Sequence, residues 1–141
     1  MIETVHGTAV ALDGVGVLLR GPSGSGKSDL ALRLIDQGAV LVADDRTALE
    51  RDGKTVVARA PDTIAGLLEV RGIGVVRVAT QASVELALAV DLAAPPERIP
   101  KPEFAAILGI SIPLIRLCGL EPAAPAKIRL AVRAGPDDIV R

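Results

Sequence analysis

The chain has 141 residues, half of them hydrophobic, with 16 basic and 17 acidic side chains. This length fits one domain, and the apolar content is high enough to bury a core. A formal net charge of −1 and a single aromatic residue, Phe104, offer neither a cationic field nor a stacking platform for nucleic acid. We therefore expect a single domain over residues 1–141 that binds neither nucleic acid nor a membrane.

The cysteine and histidine content excludes two further kinds of protein. The sequence has one cysteine, Cys118, and one histidine, His6, so it can form neither an internal disulfide nor a metal cluster of cysteine and histidine. The first residues lack a basic segment followed by an apolar core, and no apolar run is long enough to span a bilayer. These features predict a cytoplasmic protein.

The first elements predicted along the chain are a hairpin, a helix and a strand. Apolar runs at residues 8–12 and 15–19 flank Asp13-Gly14, a dipeptide that favours a tight turn. Apolar residues then recur near helical spacing over residues 27–37, and Gly38 follows as a helix cap. Residues 40–43 form a compact apolar run that ends in two carboxylates, as a buried strand does when it opens on a site.

The remaining elements are mostly short strands. We predict a second hairpin over 47–49 and 55–58, a turn or short helix near 61–68, a strand at 75–78, and later apolar runs at 112–117 and 128–132. Residues 84–92 fit a strand or a helix by period, and we favour a strand. Residues 93–102 contain four prolines, so this segment is predicted to be a loop.

The segment between the first hairpin and the helix satisfies G-x-x-x-x-G-K-[ST]. Its residues, the predicted nucleotide-binding set, are Gly21, Pro22, Ser23, Gly24, Ser25, Gly26, Lys27 and Ser28. Glycines let the backbone N–H groups turn toward phosphate oxygens, Lys27 reaches the β- and γ-phosphates, and Ser28 offers a hydroxyl to Mg²⁺. The alternative is a glycine-rich connection with a solvated lysine. The strand before and the helix after favour a phosphate loop that binds ATP or a similar nucleotide.

Two aspartates follow the predicted strand at 40–43. A helix and a strand separate them from Lys27, which returns the chain beside the phosphate loop. One carboxylate of Asp44 and Asp45 can hold Mg²⁺ while the other accepts a proton from an attacking hydroxyl. The alternative is a polar strand end with a surface ion pair to Arg46. The sequence does not divide the two roles between the aspartates.

Two further candidates are weak when taken alone. Glu69 and Arg71 lie two residues apart, hence on one side of an extended chain, before Gly72 and Gly74. Such a pair is often only solvated, and a lone histidine such as His6 is more often packed or exposed than catalytic.

Taken together, these motifs resemble the bacterial HPr kinase/phosphorylase catalytic domain. The resemblance rests on His6-Gly7, residues 14–19, the phosphate loop, Ala43-Asp44-Asp45-Arg46 and residues 68–74, in matching order and spacing. It covers residues 5–80 well and continues weakly in residues 112–117 and 127–132, which correspond to late apolar strands. It implies an α/β P-loop domain akin to that of phosphoenolpyruvate carboxykinase, with a mixed sheet, hairpins and a helix after the loop.

The resemblance also implies a function and residue roles. It implies an ATP- and Mg²⁺-dependent serine kinase that phosphorylates HPr of the sugar phosphotransferase system, reverses this by phosphorolysis, and forms a homo-oligomer. The catalytic residues would be His6, Lys27, Asp44, Asp45 and Arg71, and the metal would be held by Ser28, Asp45 and Glu69. Two alternatives stay open: a related kinase for another protein, and a nucleotide-sensing module.

Three departures from the family pattern affect these expectations. We expect no counterpart of the N-terminal domain of full-length members. The family has an arginine just before the position of Leu108-Gly109, and this sequence lacks it, with Arg98 as the candidate substitute. The resemblance therefore supports phosphorolysis less than it supports phosphorylation. We also do not expect the C-terminal helices that contact HPr and neighbouring subunits in longer members. The resemblance therefore predicts neither how HPr docks nor the size of the oligomer.

Overall fold

The computed structural model describes residues 2–134 and 137–140. Within them the chain forms ten strands, two helices and a 3-10 turn at Asp62–Ile64. The strands are β1 (Ile2–Leu12), β2 (Val15–Arg20), β3 (Val40–Ala43), β4 (Arg46–Asp52), β5 (Thr55–Arg59), β6 (Leu67–Val70), β7 (Gly74–Arg77), β8 (Ser83–Asp91), β9 (Glu103–Ile107) and β10 (Ile110–Arg116). The helices are α1 (Lys27–Asp36) and α2 (Ala124–Arg133). Neither of these helices is long and apolar enough to cross a membrane.

Two long strands, β1 and β8, each take part in two layers of sheet. The first half of β1 pairs with β4, and its second half pairs with β2 and β3. Similarly, β8 pairs first with β5 and then with β2 and β10. Since β4 also pairs with β5, strands β1, β2, β8, β5 and β4 close into a ring, and β9 extends the sheet beyond β10. The β2–β8 and β8–β10 pairings are parallel, so the sheet is mixed.

The hydrophobic core has two parts that meet at β1. The helix-side core includes Leu30 of α1 and Ile128 of α2, both fully buried. The strand-side core has its buried residues on strands alone, among them Leu49. Successive residues of β1 alternate between them, with Ala9 in the strand-side core and Val10 in the helix-side core, as the two-residue repeat of a strand requires.

Strands β6 and β7 form a separate antiparallel hairpin beside α1. Leu68 is fully buried in the helix-side core and anchors this hairpin. The hairpin thereby holds the Glu69–Arg71 segment next to the end of the phosphate loop.

The predicted fold class is confirmed, as are most elements. The α/β class, the mixed sheet, both hairpins, the helix after the loop and the strand favoured for residues 84–92 are all present. The helix ends at Asp36, and Gly38 follows with a positive φ of 110°.

One prediction about the C-terminal part is wrong. Residues 127–132, predicted as a late strand, lie in α2. A proline in the first turn starts the helix, and the buried residues Ala124 and Ile128 are four apart, which is a helical spacing. Strand β9 was not predicted at all.

Candidate functional site

The phosphate loop connects β2 to α1, as its motif predicts. Gly24 and Gly26 have φ values of 85° and 94°, a left-handed region that favours glycine. Gly26 is the N-cap of α1, and no side chain of the described residues caps this helix end. Its first backbone N–H groups and the positive end of the helix dipole therefore remain available to an anion.

Lys27 carries a buried positive charge within this loop. Its side chain folds back so that Nζ donates to the carbonyl oxygens of Gly21 at 2.7 Å and Pro22 at 3.1 Å. The residue is 6% exposed, and no carboxylate of the described residues forms an ion pair with it. A buried cation without an acidic partner is costly unless an anion approaches it. The loop is therefore chemically suited to a phosphate chain.

Asp44 is a buried carboxylate that joins three segments of the site. Its Oδ1 accepts hydrogen bonds from the hydroxyls of Ser28 at 2.7 Å and Thr8 at 3.0 Å. Its Oδ2 accepts the backbone N–H of Glu69 at 2.9 Å. The phosphate loop, β1 and the β6–β7 hairpin are thus tied to one side chain. Ser28 contacts Asp44 and not Asp45, so the structure separates two aspartates that the sequence left equivalent.

Asp45 differs from its neighbour in backbone and exposure. It has a φ of 66°, unusual for a residue other than glycine, and the N–H of Arg46 donates to the carbonyl oxygen of Asp44 at 2.7 Å across it. This tight turn points the Asp45 side chain outward, where it is 60% exposed and lies 2.8 Å from Nε2 of His6. Backbone strain of this kind often marks a functional position.

The phosphate loop, Asp45 and the β6–β7 hairpin border one cavity of about 500 Å³. Its lining includes Lys27 and Ser28 of the phosphate loop together with Asp45, Glu69 and Arg71. Arg71 lies in the turn after β6, so it is not on an extended strand with Glu69 as the sequence suggested. Both residues nevertheless reach the same cavity. His6 does not line it but contacts it through Asp45.

The predicted metal ligands are not arranged as a preformed metal cluster. The described residues contain no group of three or more histidine, cysteine, aspartate or glutamate side chains that could hold an ion. Magnesium commonly binds proteins through one or two side chains, with phosphates and waters completing its shell. A hydroxyl backed by a carboxylate, as in Ser28 and Asp44, fits that pattern. The assignment of Asp45 to the metal stays a prediction.

Comparison with known proteins identifies the family. A family model described as the HPr Serine kinase C-terminal domain matches residues 1–117. The chain belongs to this family. The HPr kinase/phosphorylase of Limosilactobacillus reuteri is 47% identical over 79 residues, which are 55% of this chain and 25% of that protein. The HPr kinase/phosphorylase of Bacillus velezensis is 49% identical over 77 residues, 54% of this chain and 25% of that protein. The match spans about a quarter of these relatives.

A solved structure shows the same fold. The Hpr(Ser) kinase/phosphatase from Coxiella burnetii superposes with a TM-score of 0.80 at 30% sequence identity, over 93% of this chain and 94% of that one. The family model ends at residue 117, so the turn at 118–121 and helix α2 lie beyond it. The superposition nevertheless extends over nearly the whole chain.

Sequence reasoning missed two buried threonines that support the HPr kinase-like site. Thr8 donates to Asp44 and accepts the N–H of Asp45 at 3.1 Å. Thr47 donates to the carbonyl oxygen of Gly7 at 2.9 Å, and both threonines are fully buried. Threonine is common in strands, so its presence alone does not indicate a supporting role. The sequence signal for such a role is the position of each threonine next to the His6-Gly7 or Asp44-Asp45 motif, on a side of the strand that faces the core.

A third missed contribution comes from the segment after β10. Leu120 lines the same cavity, and a side chain placed on Gly26 would meet it. Arg33 of α1 holds this segment in place, because its guanidinium donates to the carbonyl oxygens of Gly119 and Glu121. No motif in this segment reveals the contact, which depends on the fold.

Proposed function

We propose that this chain transfers a phosphoryl group from ATP to a serine hydroxyl of HPr. The observation that carries the proposal is the hydrogen-bonded chain from the phosphate loop through Ser28 to Asp44, with Asp45 and His6 exposed directly beside it. The phosphate loop and a carboxylate able to take a proton line the same cavity. A module that only senses nucleotide needs the first and not the second.

ATP fits the loop through its phosphates. The N–H groups at the start of α1 and the ammonium of Lys27 would bind them, after Nζ exchanges its carbonyl partners for phosphate oxygens. Ser28, held by Asp44, and Glu69 would hold Mg²⁺ together with the phosphates. The ion supplies neutralisation of the charge that builds on the transferred group and on the leaving oxygen.

Asp45 is the base that we assign to the transfer. The serine oxygen of the acceptor forms a bond to the γ-phosphorus, the bond from that phosphorus to the ADP oxygen breaks, and the serine proton passes to the Asp45 carboxylate. The His6 ring, 2.8 Å from this carboxylate, orients it. Arg71, on the same cavity, supplies a positive charge to the transferred group.

The names of the relatives support HPr as the acceptor. Both relatives described above are named HPr kinase/phosphorylase, and the matched structure is named Hpr(Ser) kinase/phosphatase. We therefore propose HPr as the protein substrate and phosphorolysis as the reverse reaction. The single domain predicted from length and composition and the homo-oligomer implied by the resemblance stay predictions.

The test is an incubation of the purified chain with ATP, Mg²⁺ and HPr, read by intact mass and by fragmentation for the modified residue. We expect one phosphate on a serine of HPr. Lys27→Ala should weaken ATP binding, whereas Asp45→Asn should keep ATP binding and slow transfer by about 100-fold or more. ATP binding by the wild type without transfer to HPr would overturn the proposal in favour of another substrate or a sensor.

A further inference from the structure

Ser25 of the phosphate loop has a buried hydroxyl that the proposed mechanism does not use. Its Oγ is buried from solvent and has no hydrogen-bond partner among the described residues. The neighbouring Ser23, Gly24 and Gly26 line the cavity beside the loop, whereas Ser25 is not among the described residues that line it. A buried hydroxyl without a partner is costly, so we expect Ser25 to gain a partner in another state of the loop.

The Ser25 hydroxyl lies against Gly21, the first residue of the loop. A Cβ atom placed on Gly21 would lie 2.6 Å from the Ser25 Oγ and 3.2 Å from the Cβ of Leu92. A Cβ atom placed on Gly119 would lie 2.5 Å from the Ser25 carbonyl oxygen. Ser25 is therefore enclosed by Gly21, Leu92 and Gly119, and its hydroxyl does not reach the cavity in which the phosphates would bind.

Lys27 occupies the carbonyl groups at this end of the loop. Its Nζ donates to the carbonyl oxygens of Gly21 at 2.7 Å and Pro22 at 3.1 Å. The Pro22 oxygen also accepts the backbone N–H of Ser25 at 3.1 Å. When Nζ turns to the phosphates of ATP, the Gly21 carbonyl oxygen loses the ammonium as its donor. A carbonyl group that loses its donor away from water is costly as well.

We propose that the Ser25 hydroxyl donates to the Gly21 carbonyl oxygen once Lys27 has turned to the phosphates. This inference rests on the nucleotide binding in the proposed function and not on the identity of the acceptor protein. A serine hydroxyl redirects its proton by rotation about a single bond, so the exchange is a local change. The hydroxyl gains an acceptor and the carbonyl regains a donor. Ser25 is thus a positioning residue, whose side chain favours the release of Lys27 without touching the nucleotide.

The first test combines melting temperatures measured without nucleotide and Kd values measured by calorimetry. Ser25→Ala removes an unpartnered hydroxyl, so it should melt at or above the wild-type temperature. The same variant should bind ATP and inorganic tripolyphosphate about five- to tenfold more weakly, the effect of one lost hydrogen bond. Ser111→Ala is the matched control and should change neither quantity, because Ser111 is an exposed serine of β10 that does not line the cavity.

A second test repeats the substitution in Lys27→Ala, where the expected sign is reversed. Without the ammonium, the Gly21 carbonyl oxygen is free even when no nucleotide is bound, so the Ser25 hydroxyl can donate to it there. Adding Ser25→Ala to Lys27→Ala should therefore lower the melting temperature by a few degrees. A purely structural role of Ser25 would shift the melting temperature in the same direction in both backgrounds.

The outcomes separate this inference from the kinase proposal. Unchanged ATP affinity in Ser25→Ala, a lower melting temperature when Lys27 is present, or the same sign in both backgrounds would each overturn the role of Ser25. The expected Kd and melting shifts without transfer to HPr would support that role and overturn the kinase proposal. A wild type that binds neither ATP nor tripolyphosphate would overturn both.

Discussion

Thr8 is the side chain that sets the two aspartates in different orientations. Its hydroxyl donates to Asp44 and accepts from the N–H of Asp45, and it is fully buried. Removing it leaves a buried carboxylate with one partner fewer and a backbone N–H without its acceptor. Supporting contacts of this kind position catalytic groups without touching substrate.

We expect Thr8→Val to lower the free energy of unfolding by about 1.5–3 kcal/mol, the usual value for a hydrogen bond to a charged group. The rate of transfer should fall by about tenfold, as is typical when a supporting residue is lost. Urea denaturation and single-turnover phosphorylation check this. Thr8→Ser keeps the hydroxyl and should recover most of the rate; equal loss in both variants would contradict a specific role of the hydroxyl.

At the scale of single residues, the sequence predicted roles for the loop lysine and serine, both aspartates and the glutamate, and the structure brings these residues close together; their roles stay predictions. It did not separate Asp44 from Asp45, because their difference arises from contacts with Thr8 and His6 that lie more than thirty positions away. The left-handed backbone at Asp45 likewise depends on tertiary structure and leaves no trace in the residue type.

Helix α1 is joined to the turn after β10 through Arg33. Its side chain is 26% exposed and donates to two backbone carbonyl groups of that turn. We expect Arg33→Ala to destabilise the fold by about 1.5–3 kcal/mol and to weaken ATP binding, because Leu120 then loses its support at the cavity. Denaturation and ATP titration check both effects.

Arg133→Ala is the control for this arginine. Arg133 makes an exposed ion pair with Asp13, a contact that contributes at most about 1 kcal/mol. It should melt close to the wild type and bind ATP normally. Equal effects of the two substitutions would refute the special role of Arg33.

Strands β8, β9 and β10 are tied together by Arg116, which contacts Glu103 and Asp91. The hydrogen bond from Arg116 lowers the pKa of Glu103 from its ordinary 4.5, against a smaller opposing effect of burial. The same bond raises the pKa of Arg116. A carboxylate with a depressed pKa stabilises the fold above its unfolded pKa, and this contribution is lost as the pH falls through the lower, folded value.

We therefore expect the wild type to lose stability below about pH 4.5, with Glu103 contributing part of the loss. Glu103→Gln should be less stable at neutral pH and should lose less on acidification. Melting temperatures between pH 3 and 7 measure this. Arg116→Gln should flatten the profile in the same way, and a Glu103→Gln profile parallel to the wild type would contradict the assignment.

Elements with a strong local signal were predicted, and those that depend on distant partners were not. The first two hairpins have glycine turns, and the helix after the phosphate loop has a clear helical periodicity. Residues 128–132 are too few to distinguish a strand from a helix, and the proline that starts α2 lies just before them. Strand β9 follows the proline-rich loop, and within the described part of the chain it pairs only with β10, so its local sequence carries little signal.

On the scale of the whole molecule, the ring of strands explains why the site forms where it does. β1 changes partners at His6-Gly7, from β4 to β2, and the N–H of Gly7 donates to the carbonyl oxygen of Asp45. The turn that carries Asp45 is therefore fixed to the point where β1 changes partners. The closing β2–β8 pairing joins residues some seventy positions apart, and no local pattern predicts such a contact.

The shared strands lead to a prediction about cooperativity. Because β1 contributes alternate residues to both cores, melting of one core removes the support of the other. Leu30→Ala in the helix-side core and Leu49→Ala in the strand-side core should each lower the free energy of unfolding by about 2–5 kcal/mol. Leu130→Ala, at a side chain that is 71% exposed, should change it little.

Both core variants should still unfold in a single transition. The chain contains no tryptophan or tyrosine, so far-ultraviolet circular dichroism would follow the backbone while methyl NMR signals report each core separately. Coincident curves from all probes are expected if the two cores form one domain. A variant in which the methyl signals of one core disappear before those of the other would show instead that β1 and β8 connect two units of independent stability.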